Sequence, residues 1–197
     1  MAHRALWLCL IALLLFPACG DDGGVVPQET PIDVDHEIQQ GWALFRARDF
    51  TGAAIHFRLV VQESPDAADG YIGLGWCEIE ADSLSRAYAT LETATRLDDD
   101  PDGLAGIAVA ASALGRDSVA VAAASSITDT GYLFTGDQSF GYTDLVYIRA
   151  LGEFHLRRYE ECCASLRILK PDLVIDLDAY YFREQIFIAL SLLRGRV

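Results

Sequence analysis

The chain has 197 residues, 52% of them hydrophobic, with 15 Lys and Arg against 29 Asp and Glu, a formal net charge of −14. That length holds one domain of ordinary size with a core of its own. The acidic surplus repels nucleic acid and anionic headgroups, so no polynucleotide partner is expected.

His3 and Arg4 make a weakly basic start, Ala5 to Phe16 is an almost unbroken apolar run, and Ala18, Cys19 and Gly20 precede Asp21-Asp22. This is the pattern of a secretory signal, too short to span a bilayer comfortably. Phe16-Pro17-Ala18-Cys19 resembles the lipobox of bacterial lipoproteins, although that family prefers Leu where Phe16 stands and a small residue where Pro17 stands. The resemblance implies a signal peptide over residues 1–18, acylation of Cys19 and membrane attachment through the N-terminal lipid. With Gly20 rather than Asp after the cysteine, it also implies an outer-membrane lipoprotein facing the periplasm. Cleavage after Gly20 by the ordinary signal peptidase is the alternative, and it would leave the protein secreted or soluble in the periplasm. Residues 20–33 hold three Gly, two Pro and three Asp without periodicity. Together with Cys19 they read as a lipidated, flexible tether over residues 19–33.

A helical period takes over from Val34, and Gly41-Trp42 returns 34 residues later as Gly75-Trp76. In residues 34–67, Gly41, Ala53, Phe57, Val60 and Pro65 stand at the eighth, twentieth, twenty-fourth, twenty-seventh and thirty-second positions, which resembles the tetratricopeptide repeat. Residues 68–101 follow with Tyr71, Leu74, Gly75, Ala87, Leu91 and Ala94. Small residues at Gly41 and Ala53 let two helices approach, and Phe57 and Val60 fill the gap toward the next unit. A third, Ala-rich copy is read over residues 102–127 and a fourth over residues 144–170, where Cys162 takes the slot of Ala53 and Ala87 and Cys163 points to another side. The resemblance implies an all-α solenoid of about four helical hairpins, and a helix over residues 179–194 would cap it.

Between the third and fourth copies, residues 128–143 carry three Gly and four aromatics and break the period. They form either an ordered detour or a ligand-contacting loop. The cap helix is apolar on two stripes, Phe182, Ile186, Ala189 and Leu193 on one and Tyr181, Ile188 and Leu192 on the other. Either its own chain clasps both, or one stripe is a docking surface for a partner or a second copy, that is, self-association.

Four constellations bear on chemistry. Asp98, Asp100, Asp102 and Gly103 match the opening of a calcium loop, but its twelfth position is Val109 instead of Glu and Pro101 interrupts it, so they read as an acidic turn and helix cap. Gly73-Leu74-Gly75 lies inside a helical pattern and is no nucleotide loop. His36, His56 and His155 have no Cys or Ser partner at a motif spacing, and no hydrolase, zinc-protease or P-loop signature occurs. No catalysis, cofactor or metal is therefore expected. The fourth constellation is the concave face. By resemblance, positions two, five, nine, twelve and thirteen of each repeat line a partner-binding groove: Asp35, Ile38, Trp42, Phe45 and Arg46, then Asp69, Ile72, Trp76, Ile79 and Glu80. The Lys, Asn and Arg that grip a peptide carboxylate in some members are missing at most of these places. An apolar floor with an acidic rim suits a helix or extended segment of a protein or peptide partner, unless a neighbouring helix of the same chain covers Trp42 and Trp76. The reading is a tethered scaffold for protein–protein interaction, in the assembly of outer-membrane, pilus or secretion machinery. A module binding a small ligand or glycan through the aromatic loop Tyr132 to Tyr142 is the alternative.

Overall fold

The computed structural model describes residues 32–194; the signal peptide, Cys19 and nearly all of the tether lie outside them. Helix starts follow local chemistry. Asp33 accepts the His36 N–H at 3.1 Å and opens α1 (Val34–Arg46), and Asp49 accepts the Gly52 N–H at 2.9 Å and opens α2 (Phe50–Glu63). Asp100 accepts the Asp102 N–H at 2.7 Å, with Pro101 as first residue of α5 (Pro101–Ala113). These carboxylates satisfy amide donors that a helix leaves unpaired. The Asp98–Gly103 stretch is thus a turn and a cap, and among the described residues no cluster of His, Cys, Asp or Glu could hold a metal.

The remaining helices are α3 (Ala68–Glu80), α4 (Leu84–Leu97), α6 (Asp117–Ser126), α7 (Tyr142–His155), α8 (Tyr159–Leu169) and α9 (Phe182–Leu193). They pair as α1·α2, α3·α4, α5·α6 and α7·α8. Each second helix packs on the next first helix, and first helices touch each other along the stack. The described residues therefore form an all-α solenoid of four hairpins followed by α9. All four hairpins turn alike. Arg48, Asp82, Gly115 and Arg157 adopt left-handed φ of 63°, 54°, 69° and 60°. In the first turn the Arg48 N–H reaches the Phe45 carbonyl at 2.8 Å and the Asp49 N–H that of Leu44 at 2.9 Å, and the other three repeat both bonds. This closes the last carbonyls of each first helix.

The glycine echo has a steric cause. A Cβ on Gly41 would stand 2.7 Å from the Phe57 ring, and one on Gly73 would stand 2.3 Å from it. Phe57 of α2 thus lies between the backbones of α1 and α3 with no exposed surface. Leu91 of α4 repeats the arrangement between Gly75 and Gly106, whose Cβ atoms would come within 2.4 and 2.8 Å. A second helix locks two first helices, and only glycine admits the ring at that distance. The third hairpin packs through Ala105, Ala108, Ala111, Ala120 and Ala124 instead.

Buried polar groups recur at matching places. Glu78 accepts from Thr90 Oγ1 at 2.8 Å and pairs with Arg86 Nε at 2.6 Å. Glu153 accepts from Ser165 Oγ at 2.7 Å, and Arg149 Nε donates to the same Ser165 Oγ at 3.0 Å. Each carboxylate binds a hydroxyl on its partner helix and so fixes the hairpin register.

Cys77, Cys162 and Cys163 are free and buried. Cys163, expected on a different side of α8 from Cys162, is also covered. Desolvation pushes the Cys77 and Cys162 thiols up to about 12 and raises Cys163 as well. Since the thiolate is the nucleophile, the folded protein should leave all three unmodified by iodoacetamide at mildly alkaline pH and expose them together on unfolding. Intact mass of the alkylated chain reads this directly; rapid native labelling of any of the three would disprove the burial.

The cap helix departs from a clasped arrangement. Ile186, Ala189, Leu190 and Leu193 of α9 face α7 and α8, while Phe187, Ile188 and Leu192 stay 61%, 57% and 67% exposed.

Candidate functional site

The segment between α6 and α7 folds back on itself before it meets the solenoid. Phe134 N–H bonds the Phe140 carbonyl and Tyr142 N–H the Tyr132 carbonyl, both at 3.0 Å, around a single antiparallel bridge between Leu133 and Gly141. Asp137 closes the tip by accepting from the Ser139 N–H at 2.9 Å and its hydroxyl at 2.7 Å. Those bonds and the local charge of Arg48 hold the Asp137 carboxyl below its usual range.

This hairpin-like loop lies over the first helices of the solenoid. Phe134 stacks on Trp76 with ring centroids 4.0 Å apart and meets Trp42 edge-on at 5.7 Å and Phe45 at 5.9 Å. Phe140 adds an edge contact to Trp76 at 5.6 Å. The result is an aromatic box with Phe134 1% exposed, Phe45 4%, Trp76 5% and Trp42 8%. Gly136 passes so close that a Cβ there would come 2.8 Å from Trp42 Cζ3.

Asp102 pins the loop. Its carboxylate accepts from the Tyr132 hydroxyl at 2.8 Å and the Thr135 N–H at 3.2 Å, and its backbone carbonyl accepts from Trp76 Nε1 at 2.9 Å. One residue at the start of α5 thereby satisfies both the loop and the groove floor. Burial raises the Asp102 carboxyl against the opposing hydrogen bonds, and burial with the Asp102 charge beside it raises the Tyr132 phenol.

The ten expected groove residues therefore divide. Trp42, Phe45 and Trp76 come together around Phe134, Ile72 is buried, and Ile38 and Ile79 are half-buried. Asp35, Arg46, Asp69 and Glu80 remain exposed as a charged rim, with Arg48 3.5 Å from Glu80. What covers the tryptophans is the inserted loop, not a neighbouring helix. Beside its tip, a cavity of about 370 Å³ stays open, lined by Phe45, Arg46, Arg48, Gly136, Asp137 and Gln138. The sequence reads Asp102 as part of an acidic turn and cap, without its bonds to the loop, and places Phe134 only within the aromatic loop and Arg48 outside the groove; the aromatic content of residues 128–143 is the signal for the loop's part in the site. Tyr132 and Phe134 point inward, so the loop offers no stacking platform from these two rings for a sugar.

Four acids have carboxyls raised by desolvation first: buried Asp144 and Glu153, half-buried Asp102, and Asp69 on the rim. A carboxyl whose folded pKa exceeds its unfolded value stabilises the fold fully below the unfolded pKa, and that contribution is lost as pH rises through the folded one. The urea midpoint should therefore be higher at about pH 5, just above the ordinary carboxylate range of about 4, than at about pH 8. A midpoint that rises or stays level over that span would contradict the desolvation of these groups.

Comparisons agree with this architecture. Residues 44–125, from within α1 to within α6, match the tetratricopeptide repeat. Among solved structures, a mutant of MamA superimposes with a TM-score of 0.61 at 12% identity, covering 83% of this chain and 87% of that one. YrrB, described as a TPR protein with an unusual peptide-binding site, gives 0.61 at 12% identity over 84% and 93%. A tetratricopeptide repeat protein from Parabacteroides merdae gives 0.57 at 13% over 83% and 60%. No curated protein matches. The fold is thus a tetratricopeptide-like α-solenoid; identities this low speak for the fold alone.

Proposed function

We propose that the chain is a membrane-tethered scaffold for protein–protein interaction in a bacterial cell envelope. In this reading acylated Cys19 holds it to the outer membrane, the solenoid faces the periplasm, and it serves assembly of outer-membrane, pilus or secretion machinery. The observation that carries the interaction is the division of the concave face into a floor closed by the chain's own loop and a charged rim left exposed. A partner segment would lie along that rim, offering acidic groups to Arg46 and Arg48 and basic groups to Asp35, Asp69 and Glu80, and set a side chain in the cavity beside Gly136. The tether rests on the basic start, the apolar run and the cysteine at its end.

Crosslinking in intact membranes followed by capture tests the partner. Wild type should retain a protein that Arg46→Glu loses while its helical circular dichroism is unchanged; no protein above background would end the scaffold reading. Cys19→Ser should move the protein out of the membrane fraction and remove the acyl mass. Unchanged sedimentation and mass would refute the anchor.

A further inference from the structure

The outward face of α9 has the features of a self-complementary surface. At helical spacing, Glu184, Phe187, Ile188, Ser191 and Arg194 share one side, all exposed, and no element among the described residues covers them. Acid sits at the start of this face and base at its end. An antiparallel second copy, related by a two-fold axis that crosses the outward face level with Ala189, would set Glu184 against Arg194 of the other helix twice, with opposed helix dipoles. The same axis sets Phe187 opposite Ser191. Ser191 is prepared for that contact, because its hydroxyl already donates to the Phe187 carbonyl of its own helix at 2.8 Å and leaves no donor to desolvate. Beside Ser191, between α7 and α9, a cavity of about 340 Å³ is lined by Leu151, Phe154, Phe187, Leu190, Ser191 and Arg194. It is placed to receive an incoming phenyl ring.

We infer that α9 is a homodimer interface, in which two copies pair α9 antiparallel and exchange Phe187 into each other's α7–α9 cavity. A bilayer fits this face less well. Glu184 at its start would have to enter acyl chains without a counter-charge, whereas the second copy supplies Arg194. The inference uses neither the tether nor the concave rim and stands apart from the proposed function.

Sedimentation equilibrium of the whole protein in density-matched detergent reads the assembly. Wild type should be a dimer, and Glu184→Arg or Arg194→Glu alone should weaken it at least about tenfold, since like charges then face each other twice. The double variant restores opposite charges and should recover most of the loss. Phe187→Ala should give monomer with native circular dichroism. A wild-type monomer at concentrations of about 100 μM, weaker than any stable interface of standard size, would overturn the proposal. A double variant no better than the singles would do the same. Detergent-free protein that stays monomeric yet binds phosphatidylcholine vesicles in a Phe187-dependent way would show a lipid surface as the occupant instead.

Discussion

Phe134→Ala should lower the unfolding free energy by about 3–5 kcal/mol, the range for removing a buried phenylalanine. The ring is 1% exposed and touches Trp42, Phe45, Trp76 and Phe140. Edge and stacked pairs add to the burial itself. The loss should first appear locally. Without its anchor the loop keeps the Asp102 hydrogen bonds, the Phe140 edge contact to Trp76 and its short backbone ladder, so proteases should cut within residues 129–141 before any helix opens, and Trp42 and Trp76 should become quenchable by acrylamide. An unchanged urea midpoint with unchanged protease resistance would show that the loop does not depend on the aromatic box.

Phe57→Ala should cost a similar amount, toward the upper end of about 3–5 kcal/mol, because the surroundings cannot close over the gap. On both sides the ring faces glycine backbone, Gly41 and Gly73, and neither has a side chain that could move in. Leu91→Ala, in the equivalent place between Gly75 and Gly106, removes a smaller side chain and should cost less. Chemical denaturation of the two variants gives the ordering. A loss at Phe57 of under about 0.5 kcal/mol, the scale of an ordinary surface change, would mean that the lock between first helices is not what holds the stack.

The hairpin solenoid was legible in the sequence because its cause is local and periodic. Gly41, Phe57, Gly75 and Leu91 stand at fixed offsets, and each offset reflects a contact between adjacent helices. Trp42 and Trp76, one residue past their glycines, could be placed on first helices by the same arithmetic. What lies over them could not, because residues 128–143 have no period and Phe134 reaches Trp76 only through the tertiary fold. Asp102 shows the same limit: its position in an acidic turn predicts a cap, while its bonds to Tyr132 and Thr135 depend on where the loop lands. The two apolar stripes of α9 were visible, yet which one faces α7 and α8 is decided by the rotation of a single helix about its axis.

The loop over the tryptophans also sets a threshold for any outside segment that would use the same aromatic box. A chain segment tied to its own site acts as a competitor at an effective concentration on the order of millimolar. A free peptide with equal intrinsic preference for Trp42 and Trp76 would need to reach that concentration merely to occupy the box half the time. Unfolded chains with exposed aromatics would therefore gain little from the box, and a segment that binds with the loop still in place has the exposed charged residues Asp35, Arg46, Asp69 and Glu80 to meet instead.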